Sequence, residues 1–263
     1  MQTSHFSGAD GTQVGYHVVG QGPPLVIVHG SITEAADWFA VAGELAEQFT
    51  CHVLDRRGRG ASGDDERYAL ATEASDIATL LEIAGPGSML LGHSYGAICT
   101  LEAVRLSAVP SALLLYEPPL PIESPTAGEH LAPYAQAIAD GDADAAMLIA
   151  CEHFLRVSPE ETAMMQGSPL WPHLCELAPT WTRELREIDL TKDRLGAYAD
   201  LSVPTLLLVG EQSPSHLVGA SHWLDERMPD SRLVVLPGQG HLANILAPAL
   251  LADAIRDFAA TPR

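Results

Sequence analysis

The chain has 263 residues, 47% of them hydrophobic, and carries 34 Asp and Glu against 14 Lys and Arg, a formal net charge of −20. A chain of that size buries a large core, and its negative potential repels nucleic acid and anionic membrane surfaces, so a small neutral or apolar molecule is the expected partner. The opening residues, MQTSHF, lack the basic and apolar regions of a secretory signal, and no apolar run approaches the ~20 residues of a membrane helix, which makes the cytoplasm the expected location.

In chain order, residues 5–6 and 13–19 flank the glycine-rich segment Gly8-Ala9-Asp10-Gly11 and read as a β-hairpin. Residues 25–28 are apolar on both faces, as a central parallel strand covered by helices should be, and run into His29-Gly30-Ser31. Residues 34–48 space Ala35, Trp38, Phe39, Val41, Leu45 and Ala46 at near-helical intervals. A strand at 51–54 follows, then a loop at 55–63 whose glycines and charges predict an exposed or site-lining segment, then a helix over 71–84.

The apolar run 89–91 leads into Gly92-His93-Ser94-Tyr95-Gly96 and directly into a helical pattern over 97–104. Strand, sharp turn and helix are the context in which a Gly-x-Ser-x-Gly turn has chemical meaning. The two glycines remove side chains that would collide where helix meets strand, and the serine hydroxyl is left projecting from the sheet. Ser94 is therefore a candidate nucleophile. Further strands are expected at 112–116, closed by Glu117-Pro118-Pro119, at 205–209 and at 233–236, and the last precedes Gly238-Gln239-Gly240-His241 and a final helix over 243–259. Alternating strands and helices imply an α/β fold with a mostly parallel sheet of about eight strands and a ligand site at the strands' carboxyl ends.

Between Pro121 and Pro204 the alternation stops. Helical patterns at 130–138, 144–155 and 181–188 are divided by Pro159, Pro169, Pro172 and Pro179. Residues 121–203 are expected to form a helical lid inserted after the sixth strand, over a core made of residues 1–120 and 204–263. Met164, Met165, Leu170, Trp171, Leu174, Leu177 and Trp181 divide between the lid's own core and the substrate pocket, and Trp171, Trp181 and Ile32 are the residues expected to touch substrate. Cys51, Cys99, Cys151 and Cys175 are scattered through apolar runs and read as reduced thiols. The pairs Cys151-x-His153 and His173-x-Cys175 do not match the two-to-four-residue separation of structural zinc ligands, and no metal or organic cofactor is expected.

Together these features resemble the α/β-hydrolase family over almost the whole chain: His29-Gly30-Ser31, Asp55-Arg56-Arg57-Gly58, Gly92-His93-Ser94-Tyr95-Gly96 and Gly240-His241 stand in family order at their expected strand ends. The resemblance implies Ser94 as nucleophile, His241 as base, and the backbone N–H groups of Ser31 and Tyr95 as the oxyanion hole. An imidazole suits that task because its ordinary pKa lets it take and return a proton near neutral pH. The third member departs from the usual pattern. Most family members carry an aspartate three residues after the glycine closing the penultimate strand, and here that place is Ser213, in Gly210-Glu211-Gln212-Ser213.

Glu117, at the position from which zearalenone-lactone hydrolases draw their acid, and Glu211 are the two candidates to replace the missing aspartate. The resemblance implies hydrolysis of a small, largely apolar carboxylic ester or lactone through an acyl-serine. A perhydrolase or lyase using the same Ser/His pair, or a non-catalytic ligand-binding protein, are the alternatives.

Overall fold

The computed structural model describes residues 1–261. The chain opens with β1 (Gln2–Ser7) and β2 (Gln13–Gly20), paired antiparallel from Gln2 opposite Val18 to Ser7 opposite Gln13. Then follow β3 (Pro24–Val28), a 3₁₀ turn at Ala35–Trp38, α1 (Phe39–Leu45), β4 (Thr50–Leu54), α2 (Leu70–Ala84), β5 (Met89–His93), α3 (Tyr95–Leu106) and β6 (Ala112–Tyr116). Between β6 and β7 the chain forms helices only: α4 (Leu131–Ala139), α5 (Ala143–Ala150), a π-helical turn at Cys151–Leu155, α6 (Pro159–Gln166), α7 (Trp171–Leu190) and α8 (Leu195–Ala199), with short 3₁₀ turns. It ends with β7 (Thr205–Gly210), α9 (Ser215–Asp225), β8 (Ser231–Leu236), α10 (Ala243–Leu246) and α11 (Pro248–Ala259).

The strands make one eight-stranded sheet in the order β1-β2-β4-β3-β5-β6-β7-β8, parallel from β4 to β8. This is the α/β-hydrolase architecture expected from the sequence. Alternation along each buried strand separates two cores. Leu25, Ile27, Leu114 and Tyr116 face α1 and α11, where Trp38, Leu45, Leu251 and Phe258 cover them. Val26, Val28, Leu113 and Leu115 face α2 and α3, and that second core continues without a break into the helices between β6 and β7 through Tyr134, Met147, Phe154, Trp181 and Leu185. No described helix is long and apolar enough to cross a membrane.

Three local expectations are corrected. Pro179 does not divide a helix: α7 runs for 20 residues through it. A mid-helix proline costs about 3 kcal/mol, and burial of Leu177, Trp181, Leu185 and Ile188 on one face, at roughly 1.5–3 kcal/mol for each large side chain, outweighs it. The last helix, by contrast, is broken between Leu246 and Pro248, where Ala247 leaves the helical region at φ −145° and ψ 54°, as the residue before a proline tends to do. The loop after β4, expected to be exposed or site-lining, is neither at its charged residues, because Asp55, Arg56, Arg57 and Arg59 are all at most 2% exposed and none lines the cavity at Ser94. Carboxylates from other elements neutralise the guanidiniums, among them Asp76 on Arg57 at 2.6 Å and Glu73 on Arg56 at 2.9 Å.

The packing beneath the serine turn leads to a stability prediction. A methyl at Gly96 would overlap the carbonyl oxygens of Val28 and His29, which are backbone and do not move aside, whereas a methyl at Gly43 on α1 meets nothing within 4 Å. Gly96→Ala should destabilise by about 1–3 kcal/mol in urea unfolding, while Gly43→Ala should be neutral or stabilising by up to about 1 kcal/mol. Equal midpoints for the two variants would contradict this packing.

Candidate active site

Ser94 is the single residue between β5 and α3, at φ 54° and ψ −125°. A non-glycine residue reaches that region only when its surroundings impose it, at a cost of order 1–3 kcal/mol. Several contacts impose it. A Cβ on Gly92 would stand 2.6 Å from the Ala97 Cα and the Gly96 oxygen, so both glycines are needed for helix to meet strand this closely. The Ser94 N–H donates to the Tyr116 carbonyl at 2.8 Å, tying the turn to the end of β6. Gly30 lets the loop after β3 approach, since a Cβ there would lie 2.9 Å from the Ser94 Cβ.

The end of β6 also holds the histidine. Glu117, wholly buried and itself at φ 50°, presents Oε2 to His241 Nδ1 at 2.5 Å, and its Oε1 accepts the Gly210 N–H at 2.7 Å. Both carboxylate oxygens are therefore used, and the ring's other nitrogen, Nε2, is left for the cavity. The Tyr116 hydroxyl donates to the Gly240 carbonyl and accepts the Ala243 N–H at 3.1 Å. His93 donates from Nε2 to the His241 carbonyl at 3.0 Å. Burial first, and then the neighbouring His241, hold the His93 pKa well below 6.5, so it stays a neutral donor. Glu211 instead accepts the Gly238 N–H at 2.7 Å and is exposed, and Ser213 has its hydroxyl buried without a partner against Gly210.

The loop carrying Ser31 rests on a buried ionic cluster. Arg56 donates to the Gly30 carbonyl at 2.9 Å, to Glu73 of α2 at 2.9 Å and to Glu184 of α7 at 2.7 Å, and its guanidinium lies 4.6 Å from the centre of the Tyr95 ring. Arg59 approaches the same Glu184 oxygen at 3.4 Å. Burial alone would raise the Glu184 pKa, but Arg56, Arg59 and the Ser31 hydroxyl beside it overcome that and leave it below 4.5. His29 donates from Nδ1 to the Gly30 carbonyl at 2.9 Å and accepts the Arg56 N–H at Nε2, and burial keeps it uncharged. It is a structural residue of the loop.

Ser94, His241 and Ser31 line one small cavity of about 30 Å³, with Pro119, Thr126, Phe154, Leu155, Trp181, Leu185, Ile188, His216 and Leu217 around it. Trp181 is where the sequence expects it. Trp171 is not among the lining residues, because ten helical residues, about 15 Å, separate it from Trp181, and its ring N–H is held by Asp144 at 2.6 Å. Nor does Ile32 line the cavity. It packs into the core at φ 45°, a rare conformation for a β-branched residue, immediately after Ser31. Met164 and Leu170 are exposed, and Leu177 packs in the helices' own core. Tyr116 and His216 also belong to the site and are not expected there from the sequence. Tyr116 could have been found from its place directly before Glu117. His216, in the first turn of α9, follows no motif.

Comparison with known proteins decides the family. The model of the alpha/beta hydrolase family matches residues 25–254. This chain belongs to the alpha/beta hydrolase family. The hydrolase is similar to 2-(acetamidomethylene)succinate hydrolase of Mesorhizobium japonicum, at 27% identity over 91% of this chain and 88% of that protein. It is also similar to the pimeloyl-[acyl-carrier protein] methyl ester esterase of Nitrosomonas europaea, at 26% identity over 84% and 90%. Among solved structures, an alpha/beta hydrolase from Sphaerobacter thermophilus matches with a TM-score of 0.88 and 29% identity, covering 97% of this chain and 100% of that one.

The ionic cluster generates a pH-dependent prediction for this hydrolase. Glu184→Gln leaves two buried guanidiniums short of charge and should cost roughly 3–5 kcal/mol at pH 7. The native pKa of Glu184 is depressed, so its contribution is present above the ordinary value of 4.5 and is lost as pH falls through the lower native value. Urea unfolding of both proteins should therefore show the gap between them narrowing in acid. A gap independent of pH would count against the pairing.

Proposed function

We propose that this alpha/beta hydrolase is a serine hydrolase that cleaves a small carboxylic ester or lactone through an acyl-serine intermediate. The observation that carries the reading is the hydrogen bond from His241 Nδ1 to Glu117, 2.5 Å long, on a histidine that shares its cavity with Ser94. A proton fixed on Nδ1 leaves Nε2 as the acceptor facing the cavity. Ser94 Oγ attacks the substrate carbonyl carbon as its proton passes to His241 Nε2, and the carbonyl π electrons move onto oxygen. The backbone N–H groups of Ser31 and Tyr95 receive that oxyanion. Tyr95 opens α3, where N–H groups have no intrahelical partner, and each such donor is worth roughly 3 kcal/mol in the transition state.

Collapse of the oxyanion expels the alkoxide, which takes the proton from His241. Water then repeats the sequence on the acyl-serine, with His241 as base, and releases the carboxylic acid and Ser94. Glu117 keeps its bond to Nδ1 throughout and stabilises the imidazolium that forms twice. The helices of residues 121–203 act as the lid, with Phe154, Trp181, Leu185 and Ile188 giving the acyl chain an apolar wall. A methyl ester esterase among the relatives supports ester chemistry.

Ser94→Ala should keep the fold and lose more than about 10³-fold in kcat on an activated ester. Glu117→Gln keeps an acceptor for Gly210 but can turn an amide NH₂ toward Nδ1. That forces the proton onto Nε2, and kcat should fall by roughly 10²- to 10⁴-fold. Glu211→Gln, at an exposed side chain bonded to the Gly238 N–H and not to the ring, should change kcat less than about threefold, within the range of a surface substitution. Steady-state kinetics of the three variants checks the set, and a larger loss in Glu211→Gln than in Glu117→Gln would move the acid away from β6.

A further inference from the structure

A second and larger cavity, about 350 Å³, adjoins the first, and Thr126 and His216 line both. Its other walls include Arg156, Ser124, Ser215 and His222. Most arginines of this acidic chain are neutralised by carboxylates at 2.5–3.4 Å. Arg156, Arg186, Lys192 and Arg232 make no ion pair among the described residues, and of these only Arg156 lines either cavity. Its Nε reaches the His153 carbonyl at 3.4 Å, which leaves the two terminal nitrogens free. The carboxylates on the same cavity do not take them: Glu226 pairs with Arg227 at 3.0 Å, and Glu123 is exposed.

The backbone singles out the same residue. Four described non-glycine residues have positive φ: Ile32 beside Ser31, Ser94, Glu117 and Arg156. Ser94 lines the inner cavity, Glu117 holds the histidine that lines it, and Ile32 directly follows the lining residue Ser31. Arg156, at φ 55° and ψ 42°, ends the π-helical turn whose Phe154 and Leu155 wall that cavity. Left-handed arginine and a π-helical turn are both locally unfavourable, and such features persist where a side chain must be aimed.

We propose that the outer cavity is a carboxylate subsite, in which Arg156 binds an anionic group at the end of the substrate remote from the scissile carbonyl. Only the direction of the scissile bond rests on the hydrolase reading. A guanidinium fork matches a carboxylate in shape and charge, and one guanidinium balances one carboxylate where a phosphate dianion would require more. His216 between the two cavities is uncharged at neutral pH, its pKa lowered to about 4 by burial first and then by Arg156 and His241. Arg156 is therefore left to supply the charge, with the hydroxyls of Ser124 and Ser215 as neutral donors. The net charge of −20 does not forbid an anion here, because exposed charges beyond about 8–10 Å are screened at physiological salt while a facing guanidinium is not.

The test compares 4-nitrophenyl hydrogen adipate with its neutral counterpart, methyl 4-nitrophenyl adipate. Wild type should favour the anion by roughly tenfold or more in kcat/KM. Arg156→Gln should bring that ratio to about one, Arg156→Lys should retain part of it, and Arg186→Gln, which alters an exposed unpaired arginine elsewhere, should keep it. A wild-type ratio near one, or a ratio unchanged in Arg156→Gln, overturns the subsite. If neither ester is hydrolysed, the catalytic reading fails and calorimetric binding of adipate decides the subsite alone. At least tenfold weaker binding to Arg156→Gln than to Arg186→Gln supports it, and equal affinities or no binding to wild type overturn it.

Discussion

The carboxyl end of β6 is the constraint on which the site depends. Within two residues it fixes the serine turn through the Tyr116 carbonyl, the histidine loop through the Tyr116 hydroxyl, and the imidazole through Glu117. Glu117 is fully buried, and a buried carboxylate is tolerable only when its oxygens are occupied. One is taken by the Gly210 N–H at the end of β7 and the other by His241. The carboxylate thus joins β7 and the loop after β8 to β6. Its backbone strain at φ 50° is held by that same pair of bonds.

The second organising feature is electrostatic and lies on the other side of the serine turn. Arg56 gathers the Gly30 carbonyl, the Tyr95 ring, α2 and α7 around one buried guanidinium. Glu184 comes from the helices between β6 and β7, so the seat of α7 and the position of the Ser31 loop are mechanically joined. A shift of α7 would leave buried charge uncompensated, which is far more costly than loss of a surface ion pair. Such an arrangement favours a fixed inner cavity.

Much of the fold was legible in the sequence because its strands are short apolar runs closed by glycine or proline, and the central ones are buried on both faces. The limits of β6 match the expected 112–116, since Ser111 and Glu117-Pro118 punctuate it on both sides. That Ser94, His241 and Glu117 meet in space was legible for a related reason: each sits at or just after a strand end, where a one-dimensional pattern specifies a three-dimensional place. Side-chain direction on helices was not. Trp171 and Trp181 look alike in sequence, but one points into helical packing and the other into the cavity. The burial of Arg56, Arg57 and Arg59 was hidden because their partners lie as far away in sequence as Glu184. Arg156 was invisible, since neither its left-handed backbone nor its lack of a carboxylate partner has a local signature.

If Glu117 and His241 make Ser94 a nucleophile, they do so already in the resting protein, before any substrate arrives. The most direct measurement is mass-spectrometric mapping of the adduct formed by a fluorophosphonate probe on the folded wild-type chain and on the His241→Ala variant. A single adduct should form on the peptide carrying Ser94, rapidly in wild type and more slowly by orders of magnitude without the imidazole. An unlabelled Ser94 in folded wild-type protein, or labelling that proceeds equally well without His241, would contradict that activation.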